Sequence, residues 1–212
     1  MNQQRGIIYG ERRKVLDGED LREQITGMIR EFVSSTVAAA MHGEPAETSQ
    51  QLDDVLAPFE KLFLPHGAIT LEQFGGKVKQ DALTERVDDI AMKVYEAREK
   101  AFGDGPNGMP LMRELERVVM LRVVDEYWME HIDAMQDLRQ GIRLRAYAQT
   151  NPVDAYKKES LEMFEEMVNA MKEETVRRLY SVRLRQNQEV KRERVASGIT
   201  ENVGCLLYTS DA

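Results

Sequence analysis

A tyrosine flanked by arginines is the most distinctive candidate for contact with a ligand. Tyr147 lies in the segment Gly-Ile-Arg-Leu-Arg-Ala-Tyr-Ala-Gln-Thr-Asn-Pro, and its amphipathic ring could press on a polypeptide without requiring a particular sequence. Between residues 139 and 158, five basic side chains stand against Asp154 alone, a local net charge of +4 in a chain of net charge −8. This patch favours docking to an electronegative partner; the alternatives are a ring that closes a turn and a solvated charged surface.

Patterns for catalysis and metal binding are scarce. The chain has no Gly-x-x-x-x-Gly-Lys-Ser/Thr phosphate loop and no dinucleotide fingerprint, and Gly75-Gly76-Lys77 indicates a turn. Glu130, His131 and Asp133 could supply metal ligands, but close neighbours on a helix point in different directions. We therefore expect His131 to be a solvated or core-edge histidine, and we expect no catalytic residue, metal site or bound cofactor. Hydrolysis of ATP by the chain alone is not expected.

Composition narrows the class of protein further. Of the 212 residues, 42% are apolar and 31% are charged, which is typical of a soluble, helix-rich protein. No apolar run approaches the ~20 residues that span a bilayer. The single cysteine, Cys205, excludes an intramolecular disulfide and fits a reducing compartment. The net charge of −8 argues against broad nucleic-acid binding, which needs an extended basic surface.

Two long helices are predicted to position Tyr147. The strongest cluster of helix breakers, residues 103–108, suggests a boundary, and Pro110 suits the first turn of the helix that follows. The apolar stripe of this first helix covers ~30 residues, about 48 Å. It comprises Leu111, Leu115, Val118, Leu121, Val124, Trp128, Ile132, Met135, Leu138 and Ile142.

Asn151-Pro152 is a typical N-cap and first-turn pair, and it predicts the start of a second long helix. The stripe of that helix comprises Tyr156, Phe164, Met167, Val168, Met171, Thr175, Leu179 and Val182. Matching stripes and a short link predict an antiparallel hairpin with residues 143–150 as an exposed loop at its tip.

The N-terminal half is predicted to hold shorter helices. A charged helix over residues 2–16 breaks at Asp17-Gly18, and Asp20 with Glu23 predicts a capping box for a helix that ends near Met41. Thr70 with Gln73 is a second candidate capping box, and residues 86–100 form an amphipathic helix. No alternation of period two persists, so we predict an all-α fold with a long antiparallel two-helix hairpin.

Two segments of the hairpin carry a resemblance to a known family. They read LRVVDEYWMEHIDAM (residues 121–135) and LRQGIRLRAYAQTNP (residues 138–152), and they closely resemble the two-helix finger of the SecA preprotein-translocase ATPases. The resemblance implies a domain order of scaffold-helix end (1–18), helical wing domain (19–109), two-helix finger (110–184) and start of the C-terminal linker (185–202). Residues 203–212 lack a helical pattern and look like translated adapter sequence.

The resemblance also implies a function. SecA is a bacterial cytoplasmic motor that binds the SecY channel peripherally at the inner face of the cell membrane and moves unfolded preproteins. Its ATP and magnesium sites lie in domains N-terminal to this region, with which the chain would assemble. Tyr147 matches the finger-tip residue that contacts the preprotein, and Arg143 and Arg145 lie in the same loop. Arg143 replaces a histidine common in relatives, and Trp128 matches a scaffold tryptophan. The alternative is a stand-alone helical adaptor or coiled-coil interaction protein.

Overall fold

Six α-helices and one short 3₁₀ turn make up the regular structure of the residues that are described. The computed structural model describes residues 2–17, 21–105, 108, 110–145 and 151–183, with the side chains of 143–145 left out. The elements are α1 (Asn2–Asp17), α2 (Arg22–Met41), α3 (Ser49–Glu60), the 3₁₀ turn (Leu71–Phe74), α4 (Gln80–Phe102), α5 (Leu111–Arg145) and α6 (Pro152–Ser181). Within these residues there is no β-strand, and extended pairing is limited to two isolated bridges. The all-α prediction is confirmed.

Helix ends follow local capping chemistry, only part of which was predicted. α2 ends at Met41 as expected, where His42 adopts a left-handed conformation with φ 49°. α3 begins with a capping box between Thr48 and Gln51 that the sequence reasoning missed. The capping box predicted at Thr70 is wrong, because its side chain makes no cap hydrogen bond and only a 3₁₀ turn follows. Asp20, the other predicted cap, lies outside the described residues.

Aromatic side chains connect the helices of the N-terminal half to α6. The Phe32 ring lies 5.8 Å from that of Phe59, Phe59 lies 5.9 Å from Phe63, and Phe63 lies 4.8 Å from Tyr180. α4 begins at Gln80, earlier than predicted, and packs against α2. These contacts join residues up to Val182 into one hydrophobic core.

The buried face of α5 differs from the predicted stripe in its first half. Leu111 and Val118 are exposed at 38% and 53%, and the helix instead buries Met112, Val119, Met120 and Val123. The buried face also includes Glu116, and this charge interrupts its apolar pattern. The predicted stripe lies one residue earlier, at Leu111, Leu115 and Val118, because those positions are all apolar. The second half agrees with the prediction, since Trp128, Met135 and Ile142 are buried.

Candidate functional site: the two ends of the α5/α6 pair

α5 and α6 lie side by side in opposite directions. Glu126 of α5 forms an ion pair with Arg178 of α6 at 2.7 Å, and His131 contacts the Phe164 ring at a centroid distance of 5.8 Å. Higher residue numbers in α5 therefore pair with lower numbers in α6, which makes the helices antiparallel. The predicted stripe of α6 is buried at Phe164, Met167, Met171, Thr175 and Leu179. The link between the helices, residues 146–150, is not among the described residues.

The far end of the pair, residues 143–145 and 151–154, carries the residues singled out from the sequence. The side chain of Asn151 caps α6 by accepting a hydrogen bond from the backbone N–H of Val153 at 3.1 Å, and Pro152 occupies the first turn. This predicted start of α6 is confirmed. Asn151 also donates to the Asp154 carboxylate at 2.9 Å.

α5 continues to Arg145, so the predicted loop over residues 143–150 begins too early. Arg143 and Arg145 belong to the last helical turn, because nothing in Ile-Arg-Leu-Arg breaks a helix. Tyr147 lies outside the described residues. The roles of Tyr147, Arg143 and Arg145 stay predictions.

The middle of the pair holds a buried histidine. His131 is 4% exposed, lies 5.6 Å from the Trp128 ring, and its Nε2 donates to the Gln4 side-chain oxygen at 3.4 Å. The Gln4 amide nitrogen donates in turn to the backbone carbonyl of Ser160 on α6 at 2.9 Å. Burial lowers the pKa of His131, which favours the neutral ring.

This histidine is therefore a core residue that links α1 to both helices of the pair. Its sequence neighbours Glu130 and Asp133 are exposed on other faces of α5, so the three side chains do not point to one place. Within the described residues, no group of three potential metal ligands comes together.

The base of the pair, where α5 starts and α6 ends, contains a buried polar network. Glu116 is fully buried; it accepts a hydrogen bond from the Tyr95 hydroxyl at 2.6 Å and forms an ion pair with Arg113 at 2.8 Å. Arg113 also donates to the Tyr95 oxygen and to Glu99, each at 2.7 Å. Burial raises the pKa of Tyr95, so its hydroxyl keeps the proton that it donates.

A second arginine holds the end of α6. Arg98 of α4 donates to the backbone carbonyls of Leu179 at 2.9 Å, Tyr180 at 3.1 Å and Val182. These carbonyls lack partners within the helix, and the cation also opposes the negative end of the helix dipole. The Tyr180 hydroxyl donates to the Ala91 carbonyl at 2.9 Å, which adds a second bond between α4 and α6.

We refer to Tyr95, Arg98, Arg113 and Glu116 as the base clamp. The sequence reasoning missed all four residues. The available signal was the spacing of Arg113 and Glu116, which lie three residues apart on α5 and can therefore form an ion pair.

Comparison with known proteins identifies the family. Residues 1–183 match the family model described as the SecA wing and scaffold domain. The chain belongs to the SecA family. It is 42% identical over 204 residues, 96% of its length, to the protein translocase subunit SecA of Clostridium novyi (strain NT). It is 39% identical over 206 residues, again 96% of its length, to that of Acetivibrio thermocellus.

The chain spans only part of these SecA proteins, 23% of the first and 22% of the second. The resemblance found in the sequence is confirmed, and the all-helical structure fits a wing and scaffold region of SecA. None of the helices in the described part of the chain could serve as a membrane-spanning segment.

Proposed function

We propose that the chain is the wing and scaffold part of a translocase that moves unfolded preproteins through the SecY channel. The supporting observation is the match of residues 1–183 to the SecA wing and scaffold domain, together with relatives named as protein translocase subunits. In this proposal ATP and magnesium bind in the rest of the translocase, and the chain transmits their action to the preprotein. The assembled protein works peripherally, at the cytoplasmic face of the bacterial cell membrane.

Within this function, the far end of the α5/α6 pair touches the preprotein and the channel. The local net charge of +4 between residues 139 and 158 supports attraction to electronegative channel loops or anionic lipid head groups. The Tyr147 ring would press on the moving polypeptide, because an aromatic side chain offers a large contact area at low entropic cost. The cap at Asn151 supports this arrangement by fixing where α6 begins, directly after the contact residues.

A chimera tests the proposal. The segment of the Clostridium novyi relative that matches this chain would be replaced by residues 1–183, and ATP-dependent preprotein uptake into SecY-containing vesicles would be measured. We expect uptake close to that of the unmodified relative. The function is wrong if a folded chimera with normal basal ATPase neither binds SecY vesicles nor translocates.

Substitutions in the same chimera test the contact residues. Tyr147→Ala should reduce uptake severalfold, and Tyr147→Phe, which keeps the ring, should restore most of it. Arg143→Gln combined with Arg145→Gln should weaken vesicle binding at low salt, and the difference should shrink as salt screens the charges. Arg86→Gln with Lys93→Gln, two exposed cations on α4, is the matched control and should change neither. Full uptake with Tyr147→Ala would remove the ring from the mechanism.

A further inference from the structure

The base clamp joins one helix of the N-terminal half to both helices of the pair. Tyr95 and Arg98 lie one turn apart on α4; the first bonds to Glu116 near the start of α5, and the second bonds to the last carbonyls of α6. Because α5 and α6 are antiparallel, the start of one and the end of the other lie together. α4 therefore holds the pair at a single place, its base.

Because the pair is long, a small rotation at its base produces a large displacement at its far end. From Glu116 to Ile142, α5 extends about 39 Å at 1.5 Å per residue. A rotation of about 10° at the base displaces the far end of such a helix by about 7 Å. That displacement exceeds the diameter of an aromatic ring, so a small change at the base would move the contact residues out of reach.

The chemistry of the clamp restricts rotation more strongly than apolar packing could. A rotation of α5 away from α4 separates the fully buried Glu116 from the Tyr95 hydroxyl. It also separates Arg113 from Glu99, so the buried charges of α5 lose these partners on α4. The fork of Arg98 must meet three carbonyls at once, which fixes both distance and angle. Apolar side chains, by comparison, tolerate small slides because their contacts have no direction.

We infer that the base clamp sets the direction in which the far end of the α5/α6 pair points. Its four residues are positioning residues: they act on the preprotein contact through the orientation of α5 and α6 and do not touch the ligand. The geometric part of this inference stands without any function, whereas its consequence for preprotein movement rests on the function proposed above.

Distances between spin labels test the geometric part. With Cys205→Ser as background, one label pair joins Gln50→Cys on α3 to Gln136→Cys on α5, and both positions are exposed. A second pair, Gln136→Cys with Glu166→Cys, lies within α5 and α6 and reports whether the pair itself stays intact. Pulsed electron paramagnetic resonance gives the distance distribution for each pair.

Two substitutions disturb the clamp at its two sides. Arg98→Met removes the donors to α6 and keeps an apolar stem, and Tyr95→Phe removes only the hydroxyl that binds Glu116. We expect either to shift or broaden the α3–α5 distance by about 5 Å, the displacement that a rotation of about 10° gives at Gln136, about 30 Å along α5 from Glu116, while the α5–α6 distance keeps its width. Arg177→Met is the matched control and should alter neither distance, since the ion pair of Arg177 among the described residues runs along α6 to Glu173.

Each outcome decides the inference. An unchanged α3–α5 distance in both variants would show that other contacts of the pair, such as the Gln4 bonds to His131 and Ser160, set its orientation. Broadening of both distances would show local unfolding. Either result overturns the inference. Tyr95→Phe keeps the ring and helix propensity, so it tests the inference even if Arg98→Met does not fold. In the chimera, a clamp variant that shifts the distance should also lower uptake. A shifted distance with full uptake would leave the clamp standing and contradict its link to preprotein movement.

Discussion

The base and the far end of the α5/α6 pair differ in the contacts that hold them. At the base, the fully buried Glu116 binds Tyr95 and Arg113, and Arg98 binds the last carbonyls of α6, so polar contacts connect three helices. At the far end, Val153 is 58% exposed and α6 is held by a cap made within its own first turn. Local stability differs widely within one fold, and binding segments come from the weaker end. The residues that hold the pair in place therefore lie at one end of it, and those proposed to contact the preprotein lie at the other.

The largest effect is expected at the base. Glu116→Ala removes the fully buried partner of Tyr95 and Arg113 and leaves Arg113 with Glu99; breaking a buried ion pair typically costs about 3–5 kcal/mol in the free energy of unfolding. Urea unfolding followed by circular dichroism measures it. Glu114→Ala, which removes an exposed partner of Arg117, is the control and should change stability by less than about 1 kcal/mol. Equal losses in the two variants would contradict the comparison.

At the far end, loss of the cap should have a smaller and more local effect. Asn151→Ala removes the acceptor for the Val153 N–H, and such substitutions typically cost about 1 kcal/mol. Hydrogen exchange should accelerate at the first amides of α6 and stay unchanged near Leu179, next to the clamp. Asn169→Ala, an exposed position in the middle of α6, is the control. Faster exchange along the whole of α6 would mean that the two ends are not independent.

Between the two ends, His131 should make stability depend on pH. Its pKa is lowered from 6.5 by burial, so below that pH the unfolded chain binds a proton that the folded chain does not. Stability should therefore fall as pH drops below about 6.5, and His131→Gln should flatten that dependence. Urea titrations at several pH values measure the slope.

His66 provides a control of opposite sign for this titration. Glu60 raises the pKa of the exposed His66, so its contribution to stability is present at low pH and is lost as pH rises. In the otherwise unmodified protein, His66→Gln should therefore steepen the fall in stability at low pH, because it removes the opposing contribution. A flat profile in the His66→Gln variant would show that the environment of His131 does not disfavour its charge.

The smallest effect on stability is expected for Tyr147→Ala, the substitution with the largest proposed effect on preprotein movement. A surface change of this kind usually alters the free energy of unfolding by about 0.5 kcal/mol or less, whereas removal of a buried aromatic ring costs about 3–5 kcal/mol. Urea unfolding separates the two cases, with Trp128→Ala as the buried comparison. A loss above about 2 kcal/mol in the free energy of unfolding would show that Tyr147 is packed, and the far end would then not differ from the base in this respect.

Features set by neighbouring residues were predictable, and features set by distant residues were not. The cap at Asn151, the end of α2 at Met41 and the buried face of α6 depend on spacing within one helix, and the sequence displays that spacing. The burial of Glu116 has no local signal, because its Tyr95 partner lies 21 residues away on another helix. Arg98 binds carbonyls more than 80 residues later in the chain, which no local pattern can indicate.

The bridge from Gln4 to Ser160 has a consequence for how the chain is made. These residues are 156 positions apart, so α1 leaves the ribosome long before the helix that accepts its hydrogen bond exists. At about 5–20 residues per second, that interval lasts roughly 8–30 s. Ile8 and Val15, which are buried in the finished fold, have no α5 to cover them until that helix, which begins at Leu111, has been made. α1 therefore docks late in synthesis, and its two buried apolar side chains stay in contact with water until then.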